Sequence, residues 1–251
     1  MSLREVIRDT VNTHLDAGYM VMGQCLSAVG WVGNTLPSRD DMTELPMSDV
    51  AGAGFVVGSA LMGKRPIYVI RYQGFNWLNS PIIINYAAKS KFLWGEPCPI
   101  LIRSIAMEGH IGPVAGSCHH ALYYRMPGVK IYSPMTPGEY RAAYDEFMNQ
   151  DDVVYLSEHR GSWDNTQELP DIIKPKSDIV LFPISITRFA AVQAAMELES
   201  RGLRVSVCHI FRIKPLEISE EALYCLAGRL TAGWFWTMTI LTESPSPSPT
   251  T

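Results

Sequence analysis

The sequence predicts an α/β fold, a parallel sheet covered by helices, followed by a second and shorter α/β unit. Three observations predict it. Short apolar runs such as Ile67–Ile70, Val129–Tyr132 and residues 153–156 alternate with segments of helical period. Strands that alternate with helices in this way pair in parallel, because each helix carries the chain back across the sheet. After a polar, proline-bearing stretch at 161–177 the same alternation starts again at 179–182.

In chain order, apolar residues at helical spacing (Leu3, Val6, Ile7, Val11, Leu15) predict a first helix over Leu3–Asp16. Residues 19–22 read as a short strand ended by Gly23, and 24–44 as a long loop rich in Gly, Asn, Pro and Asp. The stretch 46–75 organises the rest of the chain. It opens on a polar turn with the carboxylate Asp49 and continues as a small-residue helix over 50–62 that Gly63 stops. Arg65-Pro66 turns the chain into the strand Ile67–Ile70, after which the next turn delivers Phe75. A carboxylate before a helix and an aromatic after the next strand can face one ligand. Residues 76–94 read as a helix interrupted at Pro81, 100–103 as a strand, 106–117 as a glycine-rich loop and 119–125 as a short helix. A helix over 137–149, with proline at its start, separates the strands at 129–132 and 153–156. In the second unit a helix at 185–200, a strand at 204–210 and a helix at 219–227 complete the pattern.

Composition excludes several classes. The 251 residues carry a net charge of −4 with 47% hydrophobic and 18% charged residues, which gives no support for nucleic-acid binding or for attraction to anionic membranes. No apolar run approaches the ~20 residues of a membrane helix. The five cysteines form no CxxC pair, so they read as reduced thiols in a cytoplasmic protein without a zinc site. The first residues, MSLREVIRDTV, read as an amphipathic helix start that includes acidic residues rather than as a targeting peptide. Gly52, Gly54 and Gly58 are not a dinucleotide fingerprint, since a polar turn rather than a strand precedes them and no acid lies in the next strand.

Taken together, Ser48-Asp49, Gly54, Gly58, Gly63, Arg65-Pro66 and Phe75 resemble the beta subunits of thiamine-diphosphate-dependent 2-oxo acid dehydrogenases, with their transketolase-like pyrimidine-binding domain. The likeness extends through Asn85-x-Ala87-Ala88-Lys89, Pro127-Gly128-Val129-Lys130 and Ile213-Lys214-Pro215-Leu216. It implies a pyrimidine-binding domain over 1–160, a linker over 161–177 and a partial C-terminal domain over 178–230.

The resemblance also implies a site. The family has glutamate where Asp49 stands, holding a proton against a nitrogen of the cofactor's aminopyrimidine, so Asp49 is the candidate proton-handling acid despite its shorter side chain. By cap preference alone, Ser48 and Asp49 would read as helix N-caps. Phe75 matches the aromatic that packs on the aminopyrimidine, with Tyr72 and Trp77 beside it. Gln24 stands where the family usually has glutamate; an amide there can orient the cofactor but cannot act as an acid. Arg71 replaces an apolar residue and is a candidate for an anionic substrate group. His119 is the candidate catalytic histidine, with His110 and His120 as alternatives; no residue is assigned to a metal. The two altered acids also fit a non-catalytic scaffold subunit, and a split transketolase is the nearest enzymatic alternative.

No Gly-Asp-Gly occurs in the chain. The family binds the cofactor's diphosphate and its magnesium through such a motif, so the resemblance implies that a partner alpha subunit supplies it, in an alpha2-beta2 assembly acting on a small keto substrate. The tail 231–251 has a Ser-Pro repeat and is predicted to be aberrant or disordered. Tryptophan and methionine have one codon each, which fixes part of the DNA under Gly233-Trp-Phe-Trp-Thr-Met-Thr-Ile. Read from the third base of the glycine codon, it gives an apolar residue, then Val, Leu, Asp, an undetermined residue and Asp. This predicts that the natural frame is lost near Leu230.

Overall fold

The computed structural model describes residues 1–108, 112 and 116–224. His110 and the predicted frame loss near Leu230, with the tail 231–251, lie outside the described residues.

Helix α1 (Leu3–Asp16) forms as its period predicts. Ser2 caps it through the Glu5 N–H, and Glu5 returns a bond to the Ser2 N–H. The strands β1 (Val21–Gly23), β2 (Thr43–Glu44), β3 (Ile67–Ile70), β4 (Leu101–Ala106), β5 (Val129–Tyr132) and β6 (Val153–His159) pair in parallel in the spatial order β2-β1-β3-β4-β6-β5. Successive side chains of a strand point to opposite faces, so each strand serves two cores. Ile67 and Val69 face α1 and α5 (Pro137–Met148), packing with Ile7, Val11, Tyr140 and Phe147. Tyr68 and Ile70 face the other side, where α2 (Asp49–Leu61) contributes Val56, Val57 and Ala60. That second face is completed by α3 (Asn76–Ile82), a π-helical turn at Ile83–Ala87 and α4 (Ala88–Trp94).

The interruption expected at Pro81 does not occur. Pro81 has no N–H to give to the Trp77 carbonyl, but the Ser80 hydroxyl donates there instead at 3.3 Å, and the helix passes through the proline into the π turn. The helix expected at 119–125 is a run of turns. The loop read at 24–44 contains the 3-10 turn Val29–Val32 and ends in β2. Two of the sequence motifs meet: the Gly128 N–H donates to the Ala88 carbonyl at 3.1 Å, and a Cβ on Gly128 would lie 2.3 Å from that oxygen. Only glycine allows this approach.

Beyond the stretch read as a linker, β7 (Ile179–Leu181), α6 (Thr187–Ser200) and β8 (Val205–Val207) form a two-stranded parallel sheet with its own small core. Strand β9 (Arg212–Lys214), which the sequence pattern does not predict, returns to the first sheet and pairs antiparallel with β5. The two sheets are also joined by the buried Arg188 on α6, which donates to both Glu139 oxygens on α5 at 2.8 and 2.5 Å.

One buried histidine makes stability depend on pH. His14 is fully buried, with its ring nitrogens 3.0 Å from the Tyr144 hydroxyl and 2.9 Å from the Arg65 carbonyl. Burial pulls its imidazole from 6.5 down to about 4. The depressed folded value means that its contribution is complete above pH 6.5 and is lost as pH falls towards 4. We expect the unfolding free energy to drop by on the order of 3 kcal/mol through that window from this group alone. A urea-unfolding series on wild type and His14→Gln checks it, the variant showing the shallower loss.

Candidate functional site

Parallel strands end together, so the loops after them collect along one edge of the sheet, where ligands of such folds bind. Gln24 follows β1, α2 begins after β2, Tyr72 and Phe75 follow β3, Glu108 follows β4, and β6 ends at His159. The candidate residues from four separate stretches of sequence thus come to one edge.

Asp49 is the first residue of α2. Neither it nor Ser48 does what cap preference suggests, since the Ser48 side chain makes no cap hydrogen bond. Instead the Asp49 carboxylate, half-buried, accepts from the Asn79 amide at 3.0 Å. The same amide donates to the Phe75 carbonyl at 2.9 Å, and its oxygen accepts from the Tyr68 hydroxyl at 2.6 Å. Asn79 therefore links the Asp49 carboxylate to the backbone of Phe75, the aromatic residue that the sequence singled out. Phe75 packs its half-buried ring against the second core and lies edge-on to Tyr72, 5.8 Å between centroids. Sequence reasoning missed Asn79 and Tyr68. They stand 30 and 19 residues from Asp49, on other elements, and no spacing signals such a contact.

Gln24 is buried, and its Nε2 has no hydrogen-bond partner among the described residues. The turn after it is held by Glu44, whose carboxylate accepts the N–H groups of Cys25, Leu26 and Ser27, the last two at 2.8 and 3.0 Å. Cys25 sits at φ 59°, so the turn aims three N–H groups at one anion. This fixes the turn that follows Gln24 and leaves the Gln24 Nε2 without a partner among the described residues.

His119 donates its backbone N–H to Gln73 Oε1 at 2.6 Å, and its ring stands edge-on to Trp77 at 5.5 Å. The indole N–H of Trp77 points to its Nε2 at 3.4 Å. Burial lowers the pKa of His119 and of His120, partly opposed in each by the Glu108 carboxylate, so both imidazoles are neutral at pH 7. His120 lies within 2.9 Å of the Cys118 sulfur, whose thiol burial pushes up to about 12. Arg71 stacks on Tyr72 at 5.0 Å from the ring centroid, and Arg160 reaches the same ring at 5.7 Å. Among the described residues no three His, Cys, Asp or Glu side chains gather as a metal site, and no helix is long and apolar enough to cross a membrane.

The carboxyl edge of this parallel α/β domain thus presents one carboxylate, one aromatic residue and one buried amide. The family model of the transketolase pyrimidine-binding domain matches residues 6–165, and the chain belongs to that family. Subunit beta of the acetoin:2,6-dichlorophenolindophenol oxidoreductase of Cupriavidus necator is 23% identical over 71% of this chain and 57% of its own. The 2-oxoisovalerate dehydrogenase subunit beta of Bacillus subtilis is 27% identical over 76% and 62%. The pyruvate dehydrogenase E1 component subunit beta of Rickettsia bellii is 25% identical over 94% and 81%. The chain thus spans about three fifths of the first two relatives. Among solved structures, a split-gene transketolase described as an inactive beta4 tetramer superposes with a TM-score of 0.66 at 18% identity, over 86% of this chain and 73% of the other. The transketolase of Campylobacter jejuni gives 0.71 at 14%, over 85% and 36%. These likenesses show the shared fold.

Proposed function

We propose that this chain is the beta-type subunit of a heteromeric thiamine-diphosphate-dependent enzyme acting on a 2-oxo acid or ketol substrate, and that it holds the aminopyrimidine end of the cofactor. The observation that carries this reading is the pairing of the Asp49 carboxylate and Phe75 through one buried amide at the carboxyl edge of the sheet. The groups fit such a ring: an acid for its nitrogen, an aromatic for its face, and the undirected Gln24 amide as a further donor. When bound, the cofactor would supply a carbon nucleophile for chemistry at a substrate carbonyl. This chain's part is to hold a proton between Asp49 and the aminopyrimidine nitrogen, to pack the ring on Phe75, and to orient it through Gln24. His119, neutral at pH 7, accepts or returns a proton on the substrate side.

The diphosphate and its magnesium fall to an alpha-type partner bearing Gly-Asp-Gly, and the unit from 178 onward serves assembly. An apolar surface supports this. Val50 and Phe55 on α2 and Met62 just after it are exposed, and Ala51, Gly54 and Gly58 leave a hollow between them that a second helix can enter. By itself the chain is expected to self-associate or aggregate; co-expressed with such a partner it is expected to elute as an alpha2-beta2 heterotetramer and to bind thiamine diphosphate only then. Size-exclusion chromatography and calorimetric titration of the two samples test this, and a monomer that ignores the partner would sink it. A split transketolase shares every one of these expectations, with a ketol rather than a 2-oxo acid as substrate. The second reading, a scaffold subunit that assembles without activating the cofactor, is favoured by Asp49 and Gln24 standing in place of two glutamates.

A further inference from the structure

The short side chain of Asp49 poses a question of placement. A carboxylate on the first residue of a helix can swing through several rotamers, and a misplacement of ~1 Å can cost about a hundredfold in rate. The structure holds this carboxylate from one side. Asn79 is fully buried, and each of its polar atoms is used: Nδ2 gives its two protons to Asp49 Oδ1 and the Phe75 carbonyl, and Oδ1 accepts from Tyr68. Because the Phe75 carbonyl can only accept, the amide has one orientation, with its N–H groups towards Asp49. Tyr68 is fixed in turn. It rises from β3 into the second core, and its hydroxyl sits beneath the first turn of α2, where Gly52 makes room. A Cβ at 52 would meet that oxygen at 3.0 Å. Burial and the Asp49 charge both push the phenol's ionisation far up, so Tyr68 remains a donor.

We propose that Asn79, locked by Tyr68 over Gly52, is a positioning residue that sets the Asp49 carboxylate against the plane of Phe75. In this arrangement Asn79 occupies Asp49 Oδ1, and the other oxygen is left to face the ligand ring. The dyad would make the shorter acid serviceable, by exchanging the reach of a longer side chain for a fixed rotamer. The proposal rests on the reading of this chain as a cofactor-binding subunit.

The test is a cycle of variants in the assembled complex, read by proton exchange at the thiazolium carbon and, independently, by the Kd for thiamine diphosphate and the melting temperature of the cofactor-free complex. Asn79→Ala is expected to slow exchange by about 10- to 100-fold, as loss of placement does, while the Kd moves by less than about threefold. Tyr68→Phe, which keeps the packing and removes the lock, should slow exchange in the same direction by a smaller factor. Because both act through Asp49, Asn79→Ala on top of Asp49→Asn should add nothing further. Multiplying effects in that double variant, or slowing that tracks the loss in Kd and melting temperature, would reduce Asn79 to a structural residue. So would wild-type exchange in both Asn79→Ala and Tyr68→Phe where Asp49→Asn is slow. Wild-type exchange in Asp49→Asn itself would instead remove Asp49 as the proton-handling acid, and the role of Asn79 with it.

Discussion

Asp49→Asn is expected to slow proton exchange at the thiazolium carbon of bound cofactor by about 100-fold or more, the range for losing a positioned acid or base. The fold should not change. Asn is nearly isosteric, and its side-chain oxygen can still accept from the Asn79 amide. An amide cannot share a proton with a ring nitrogen as a carboxyl can, so folding and exchange separate in this one variant. Asp49→Glu should retain or raise the rate, provided that Asn79 still meets the longer carboxylate. The measurement is hydrogen–deuterium exchange followed by NMR after acid quench, in the complex with the alpha-type partner. Equal exchange in wild type and Asp49→Asn would leave the acid without a role and put the scaffold reading first.

Glu158→Leu is expected to destabilise the chain by about 3–5 kcal/mol, because it strands a buried guanidinium. Arg103 on β4 is fully buried and donates to both Glu158 oxygens at 2.7 and 2.9 Å. It also donates to the Thr35 hydroxyl at 3.0 Å, so the same cation fixes the loop after Gln24. Glu158 itself is 2% exposed, which leaves no water to take its place. The double variant Arg103→Met/Glu158→Leu should recover most of the loss, since apolar side chains of similar volume often replace a buried ion pair at little cost. Urea midpoints of the two variants decide: a single variant as stable as wild type would show that Arg103 finds another partner when its carboxylate is gone.

Much of the fold was legible in the sequence because its signals are local. The period of α1 comes from residues three and four apart, and the strands Ile67–Ile70 and Val129–Tyr132 come from unbroken apolar runs. Gly63, at φ 81°, ends α2 as a left-handed glycine does. Where the reading failed, a hydrogen bond that the pattern of residues does not show had changed the local outcome. Pro81 would break an isolated helix, but the Ser80 hydroxyl takes over the freed carbonyl. β9 is only three residues long and carries charge at both ends, so nothing in it reads as a strand until β5 offers its open edge.

The site divides in the same way. Asp49, Phe75, Gln24 and His119 were named through the resemblance to a family, and the alternation of strands and helices in the sequence placed them around one parallel sheet. Alternation brings the ends of successive strands to a common edge whatever the details of packing. Only the tertiary structure decided which groups touch. Asp49 binds Asn79 rather than capping its helix, Tyr68 donates from a strand that reads as purely apolar, and Arg103 finds Glu158 across two strands. Helical and strand periods are written among near neighbours, whereas a hydrogen bond across elements depends on register and on the gap between them. At Gly52 and Tyr68 that gap closes to about one atom, and packing alone sets it.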